Sequence, residues 1–154
     1  MEGLTVKDIM IADVVTVTPD TSIRELAELL AGRKISGAPV VDPDRHVVGM
    51  VSEADVVLQD AELHFPHYVP FLDGIIYLEG FHKFRERFRK VFAVKVSEIM
   101  TKRIVSISPD ASIHEAATLM ADKKVNRLPV VEAEKLVGIL TRSDIVRAIA
   151  QHKV

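Results

Sequence analysis

Apolar and polar positions along this chain follow two rhythms, one of period two and one helical, and the order of those rhythms occurs twice. Val14-Val15-Thr16-Val17-Thr18 is a β-branched run stopped by Pro19, which predicts a short strand. Behind it, Ile23, Leu26, Ala27 and Leu30 fall on one helical face. Ser22-x-x-Glu25 has the hydroxyl-to-carboxylate spacing of a capping box, and Gly32 is placed to end the helix. Pro39-Val40-Val41 and Val47-Val48-Gly49-Met50-Val51 flank the turn residues Asp42-Pro43-Asp44-Arg45, so a hairpin is expected. Ser52-x-x-Asp55 then opens a second helix carrying Val56, Val57 and Leu58. The unit reads strand, helix, strand, strand, helix.

The same unit returns from Val96. Val96-Ser97-Glu98-Ile99-Met100 matches the lead-in Val6-Lys7-Asp8-Ile9-Met10, and Ile104-Val105-Ser106-Ile107-Ser108-Pro109-Asp110 matches the first strand and its stop. Ser112-x-x-Glu115 repeats the capping box, and Ile113, Ala116, Ala117 and Met120 repeat the apolar face. Pro129-Val130-Val131 echoes Pro39-Val40-Val41. The register then slips by one, because the second hairpin turn, Glu132-Ala133-Glu134-Lys135, reaches its strand one residue sooner. The unit closes on Gly138-Ile139-Leu140-Thr141-Arg142-Ser143-Asp144, the counterpart of Gly49-Met50-Val51-Ser52-Glu53-Ala54-Asp55. Two copies with matching apolar faces predict an α/β (α+β) protein of two small sheets whose helices pack about a pseudo-twofold axis, neither half burying enough alone.

Residues from about 60 to 95 have no counterpart. All six phenylalanines and both tyrosines fall between Phe65 and Phe92. His64-Phe65-Pro66-His67-Tyr68-Val69-Pro70-Phe71 reads as irregular, and His64 with His67 makes a poor metal site without a nearby carboxylate or thiolate, so no metal is expected. Beyond Gly80, Phe81, Phe84, Phe88 and Phe92 form one helical stripe opposite a basic face. This 79–93 helix has three readings: packing on the chain's own repeats, packing across a homodimer, or lying on a membrane or nucleic acid. The domain plan is therefore a first repeat with its lead-in over 1–60, an aromatic and basic insert over 61–95, and a second repeat over 96–154.

Composition narrows the function. The chain has 154 residues, 48% hydrophobic and 27% charged, which marks a folded rather than disordered protein. A formal charge of −2 gives no chain-wide attraction for polyanions. With no cysteine there is no thiol nucleophile and no thiolate metal site. The first residues lack a signal-peptide pattern and no apolar run is long enough to span a bilayer, so a cytoplasmic protein is expected. The chain also lacks a nucleophile elbow and a phosphate-cradling glycine loop, so no enzyme is expected.

The lead-in ending Ile-Met, the strand ending Ser/Thr-Pro-Asp, the Pro-Val-Val segment and the Gly-x-x-Ser/Thr-x-x-Asp closure, each present twice and in order, resemble the cystathionine-β-synthase (CBS) domain pair over about 6–58 and 96–150. The resemblance implies a β-α-β-β-α fold per repeat, joined through the sheets with two clefts between them. It also implies a regulatory adenosyl ligand (AMP, ADP, ATP or a related compound), no required cofactor, and a homodimer that signals to a protein partner. A ligand-independent scaffold is the alternative. By that resemblance Asp144 and Asp55 accept the ribose hydroxyls beside Thr141 and Ser52, while adenine lies against Ile104 and Ser106 with Val125 and Pro129 closing the cleft. Thr16, Ile35 and Pro39 are the first-copy equivalents.

As bare chemistry, Thr141-x-x-Asp144 and Ser52-x-x-Asp55 are helix caps, and the same geometry offers a carboxylate and free N–H groups to a ligand. The copies differ in charge. Arg142 stands where the first has Glu53, and Asn126-Arg127-Leu128 where the first has Ser36-Gly37-Ala38. An anionic nucleotide is therefore expected at the Asp144 cleft, with Arg127, Arg142 and Asn126 beside it. The Asp55 cleft is expected to be empty or to take a neutral or cationic adenosyl group.

Overall fold

The computed structural model describes residues 3–64 and 94–151. The elements are α1 (Val6–Ile9), α2 (Ile23–Arg33), β1 (Gly37–Val41), β2 (Val47–Ser52), α3 (Glu53–His64), α4 (Val96–Ile99), α5 (Ile113–Lys123), β3 (Arg127–Glu132), β4 (Lys135–Thr141) and α6 (Arg142–Ala150). The phenylalanine stripe and the helix expected for it, with His67, lie outside the described residues, and α3 runs on past residue 60 to His64.

Both long N-terminal helix starts form as the spacing dictates. The Glu25 N–H donates to Ser22 Oγ at 3.1 Å while the Ser22 N–H donates to Glu25 Oε2 at 2.9 Å. Ser112 and Glu115 repeat this exchange at 3.1 and 2.7 Å. Each box satisfies two otherwise unpaired helix-end donors. Gly32 does not end α2. It sits inside the helix, and the chain turns at Lys34, whose left-handed φ of 53° is matched by 55° at Lys124 in the second copy. The stop is thus set by the cap geometry common to both helices rather than by the glycine.

Two two-stranded sheets form, β1 with β2 and β3 with β4, and the second is antiparallel. The second closes through Ala133 and Glu134, with φ of 48° and 67°, between the paired Glu132 and Lys135. Positive φ at both central residues is the mirror-image two-residue turn that matches strand twist. The expected strands at 14–18 and 104–108 are each reduced to one parallel bridge, Val17 to Val40 and Ile107 to Val130. Ile107 N–H donates to Pro129 O at 3.1 Å and Val131 N–H to Ile107 O at 2.9 Å. Pro129 lacks an N–H of its own, which limits the ladder to this single crossing.

The chain divides into two compact units that do not follow its order. One holds the described residues of Met1–Thr16, Val41–Gly49 and Lys102–Val154; the other holds those of Val17–Val40 and Met50–Thr101. In the first unit α1 seals the second repeat. The Val6 N–H donates to Ala111 O at 2.8 Å, the Lys7 N–H to Pro109 O at 2.9 Å, and Ile11 and Ile139 exchange two bonds of 2.9 Å. Val6 is fully buried in a core of Ile107, Ile113, Ala116, Met120, Leu128, Val130, Leu140 and Ile145. In the second unit α4 plays the same part. The Val96 N–H donates to Thr21 O at 2.8 Å, the Ser97 N–H to Pro19 O at 3.0 Å, and Met50 and Thr101 pair at 3.0 and 2.9 Å. Each four-residue lead-in helix is too short to stand alone. Each buries its single valine under the helix of the other repeat, Ile113 or Ile23 being its buried neighbour in the hydrogen-bonded junction. The first hairpin's turn joins the first unit in the same way, Arg45 O accepting from the Leu136 N–H at 3.0 Å.

Candidate functional site

The junction from β4 to α6 places the repeated hydroxyl and carboxylate. β4 delivers Thr141 in extended backbone, with φ −111° and ψ 162°, and the helix starts at the next residue. Asp144 Oδ2 accepts from the Thr141 N–H at 2.8 Å and from Thr141 Oγ1 at 2.7 Å, while the Asp144 N–H donates to Thr141 Oγ1 at 3.3 Å. The Arg142 N–H is taken up by Asn126 O at 2.9 Å. Asp144 is 4% exposed and is the buried charged residue among those described. Its second oxygen, Oδ1, accepts from Arg147 at 3.3 Å. A buried carboxylate whose oxygens are all hydrogen-bonded is a rigid acceptor held in one orientation.

The first copy builds the same junction more loosely. Asp55 Oδ2 accepts from the Ser52 N–H at 2.8 Å and from Ser52 Oγ at 3.2 Å, and the Glu53 N–H donates to Ser36 O at 2.9 Å. Asp55 is half-buried, and Leu58 stands where the second copy has Arg147.

The residues expected around Asp144 divide into two groups. Arg142 donates to the Asn126 side chain, and these two with Val125, Lys124, Met120 and Ile145 line a cavity of about 450 Å³ between α5 and α6. Asp144 instead shares a cavity of about 190 Å³ with Arg147 and Ala148 of α6, with Gln151 at the end of that helix, and with Asp8 and Ile9 of α1. Arg127 is half-buried and pairs across the ladder with Thr141; Pro129 is buried opposite Ile139. Ile104 is half-buried and Ser106 exposed. In the first copy Pro39 is buried, accepting from the Val17 N–H at 3.1 Å, and Ile35 is half-buried. Thr16, half-buried, falls in the unit of the second repeat, whereas Ile35, Pro39, Ser52 and Asp55 fall in the other.

Two features escaped the sequence reading. Arg147 lies three residues after Asp144, a spacing that pairs side chains on a helix, and that signal alone would have found it. The group Asp42, Asp44 and His46 on the first hairpin turn brings its potential metal-ligating atoms within 4.8 Å of one another. There the His46 ring faces Asp42 Oδ2 at 2.9 Å and the His46 N–H donates to Asp42 Oδ1 at 2.8 Å. Burial pushes the Asp42 carboxyl up, and the bonds from His46 outweigh it, leaving a net shift downward. Among the described residues, no helix is long and apolar enough to cross a membrane.

Comparison with known proteins finds the CBS domain model matched at residues 6–62 and 96–151. An uncharacterised protein of Methanocaldococcus jannaschii is 33% identical over 96% of this chain and 92% of its own length. CBSX2, a chloroplastic CBS domain-containing protein of Arabidopsis thaliana, is 33% identical over 98% of this chain and 66% of its own length. The crystal structure of CBSX2 in complex with AMP superposes with a TM-score of 0.74 at 32% identity, covering 99% of this chain and 100% of that one. The CBS domain pair of protein MJ0100, crystallised with 5′-methylthioadenosine and S-adenosyl-L-methionine, shares the fold at 23% identity, TM-score 0.74, over 97% and 98% of the two chains.

Proposed function

Because the chain belongs to the CBS domain family, with repeats at residues 6–62 and 96–151, we propose that it is a regulatory module that binds an adenosyl ligand and is not an enzyme. The observation that carries this reading is the buried Asp144 carboxylate held at the start of α6, in a chain 32% identical to a protein crystallised with AMP. A carboxylate in that position accepts both hydroxyls of a ribose, and the helix start beside it favours negative charge on the ligand. Thr141 orients the carboxylate. Ile104, Ser106 and Pro129 supply the surface for adenine and Arg127 a cationic flank, while Arg142, Asn126 and Val125, which line the separate cavity between α5 and α6, reach the same ligand only where it extends from the Asp144 cavity into theirs. The ligand of the second repeat is accordingly an anionic nucleotide. The first repeat, with Ser52, Asp55, Thr16, Ile35 and Pro39, has Glu53 where the second has Arg142, and takes a neutral or cationic adenosyl group if it is filled.

The ligand acts by preferring one arrangement of the pair over another, and the size of that preference sets the size of the response. The response passes to a protein partner or to the assembly of a homodimer. Val57 and Leu58 on α3 and Val146 and Ile149 on α6, all more than half exposed, offer apolar helix faces for a second copy. A thermal-shift series with AMP, ADP, ATP, S-adenosylmethionine and NADH tests the reading, because ligand that binds only folded protein raises the midpoint. At about a hundred times Kd the stabilisation is about 2.7 kcal/mol. A rise with an adenine nucleotide is expected; no shift with any of the five would leave a ligand-independent scaffold.

A further inference from the structure

The geometry points to Arg147 as a residue that makes the Asp144 site choose anionic over neutral adenosyl ligands. This rests on Asp144 being the ribose acceptor proposed above. Both carboxylate oxygens are engaged within the protein: Oδ2 by Thr141 and Oδ1 by the Arg147 guanidinium at 3.3 Å. The Thr141 contacts are part of the helix cap and stay. The Arg147 contact joins a carboxylate 3% exposed to a side chain 64% exposed, so the arginine is the mobile partner. A ribose whose two hydroxyls both donate to the carboxylate needs Oδ1, and must move the guanidinium off it.

What the displaced cation then meets depends on the ligand. A neutral nucleoside breaks the ion pair and gives the arginine nothing in return. A nucleotide brings a phosphate, which is a bidentate acceptor for a guanidinium. Arg147 therefore opposes adenosine and is neutral or favourable to AMP. At the equivalent position of the first repeat stands Leu58, which is exposed and carries no charge. That difference adds a second source of charge discrimination, on the helix turn after the carboxylate, to the arginines that precede it in the chain.

The test is calorimetric titration of adenosine and AMP into the wild type, Arg147→Ala, Arg147→Gln and Asp144→Ala, with melting curves to confirm folding. An exposed pair to a buried carboxylate corresponds to about a threefold effect. Both Arg147 variants are expected to bind adenosine about threefold more tightly and AMP no more tightly, so the preference for AMP falls. Arg147→Gln carries the test if the alanine variant folds poorly. An unchanged AMP-to-adenosine ratio in variants whose AMP binding still depends on Asp144 overturns the role of Arg147 alone. If the wild type binds neither compound, or Asp144→Ala binds AMP as the wild type does, the site itself fails and Arg147 with it.

Discussion

Gly138 shows how closely the residues of this chain are fitted. A Cβ there would collide with Met10 Sδ and lie 3.2 Å from the backbone oxygen of Ile11. The flexible Met10 can yield, but the carbonyl is fixed by the paired bonds of Ile11 and Ile139. Gly138→Ala is therefore expected to destabilise the protein by about 1–3 kcal/mol, as overpacking does, read from the urea midpoint. The hydrogen-bonded carboxylates of the helix caps make stability depend on pH. The backbone N–H of Ser112, then its hydroxyl, holds the Glu115 carboxyl below its usual 4.5, and Thr5 does the same for Asp8 below 3.8. Depressed folded values stabilise above the unfolded pKa and lose that contribution as pH falls through the folded one. Melting temperature should thus fall as pH drops below about 4.5, and Glu115→Gln should flatten that limb relative to the wild type. An identical pH profile would count against the cap. The capping boxes were legible in the sequence because hydroxyl and carboxylate are three residues apart. The closeness of Met10 to Gly138 was not, because it depends on a contact between residues far apart in the chain.

At the scale of elements, the lead-ins carry most of what the sequence concealed. Val6-Lys7-Asp8-Ile9-Met10 was readable as a repeated motif, yet nothing local says that α1 caps the second repeat or that α4 caps the first. Pairing across such a separation leaves no periodic trace. The helices, whose apolar faces recur every three or four residues, and the hairpins, whose turns carry Asp, Pro or positive-φ residues, were legible for the opposite reason. The two strands reduced to single bridges were overread from β-branched composition, which records suitability for a strand and not the number of ladder bonds available. The exchange of lead-ins makes a sharp expectation. Val6→Ala removes two methyl groups from the core of the second repeat, at a cost of about 1–3 kcal/mol. In hydrogen exchange the loss of protection should appear first in β3, β4 and α6. Val96→Ala should do the same in α2 and β1. Loss confined to the residues next in sequence to each substitution would contradict the exchange.

For the whole molecule, the duplicated junction explains why the protein reads as a binding module. In both copies the hydroxyl residue donates its N–H and O–H to the carboxylate three residues on, so local helix-start contacts account for Thr141, Asp144, Ser52 and Asp55 without any ligand. What capping does not require is the unequal setting: a buried Asp144 paired with Arg147, against a half-buried Asp55 beside Leu58. The sequence showed part of this asymmetry through Arg142 and Arg127. It did not show that Arg142 leans onto Asn126 in the groove between α5 and α6, away from the cavity that holds Asp144. That separation puts Arg142 and Arg147 in different cavities, and under the proposed function it leaves the Asp144 carboxylate as the residue on which ligand binding is expected to turn.

The most direct test of that account is titration of AMP into the wild type, Asp144→Ala and Asp55→Ala by calorimetry, with each protein's own melting curve as the control for folding. The account predicts saturable binding by the wild type, at least about tenfold weaker binding by Asp144→Ala, equivalent to about 1.4 kcal/mol, and near wild-type binding by Asp55→Ala. No heat from the wild type, or equal losses in the two variants, would contradict it.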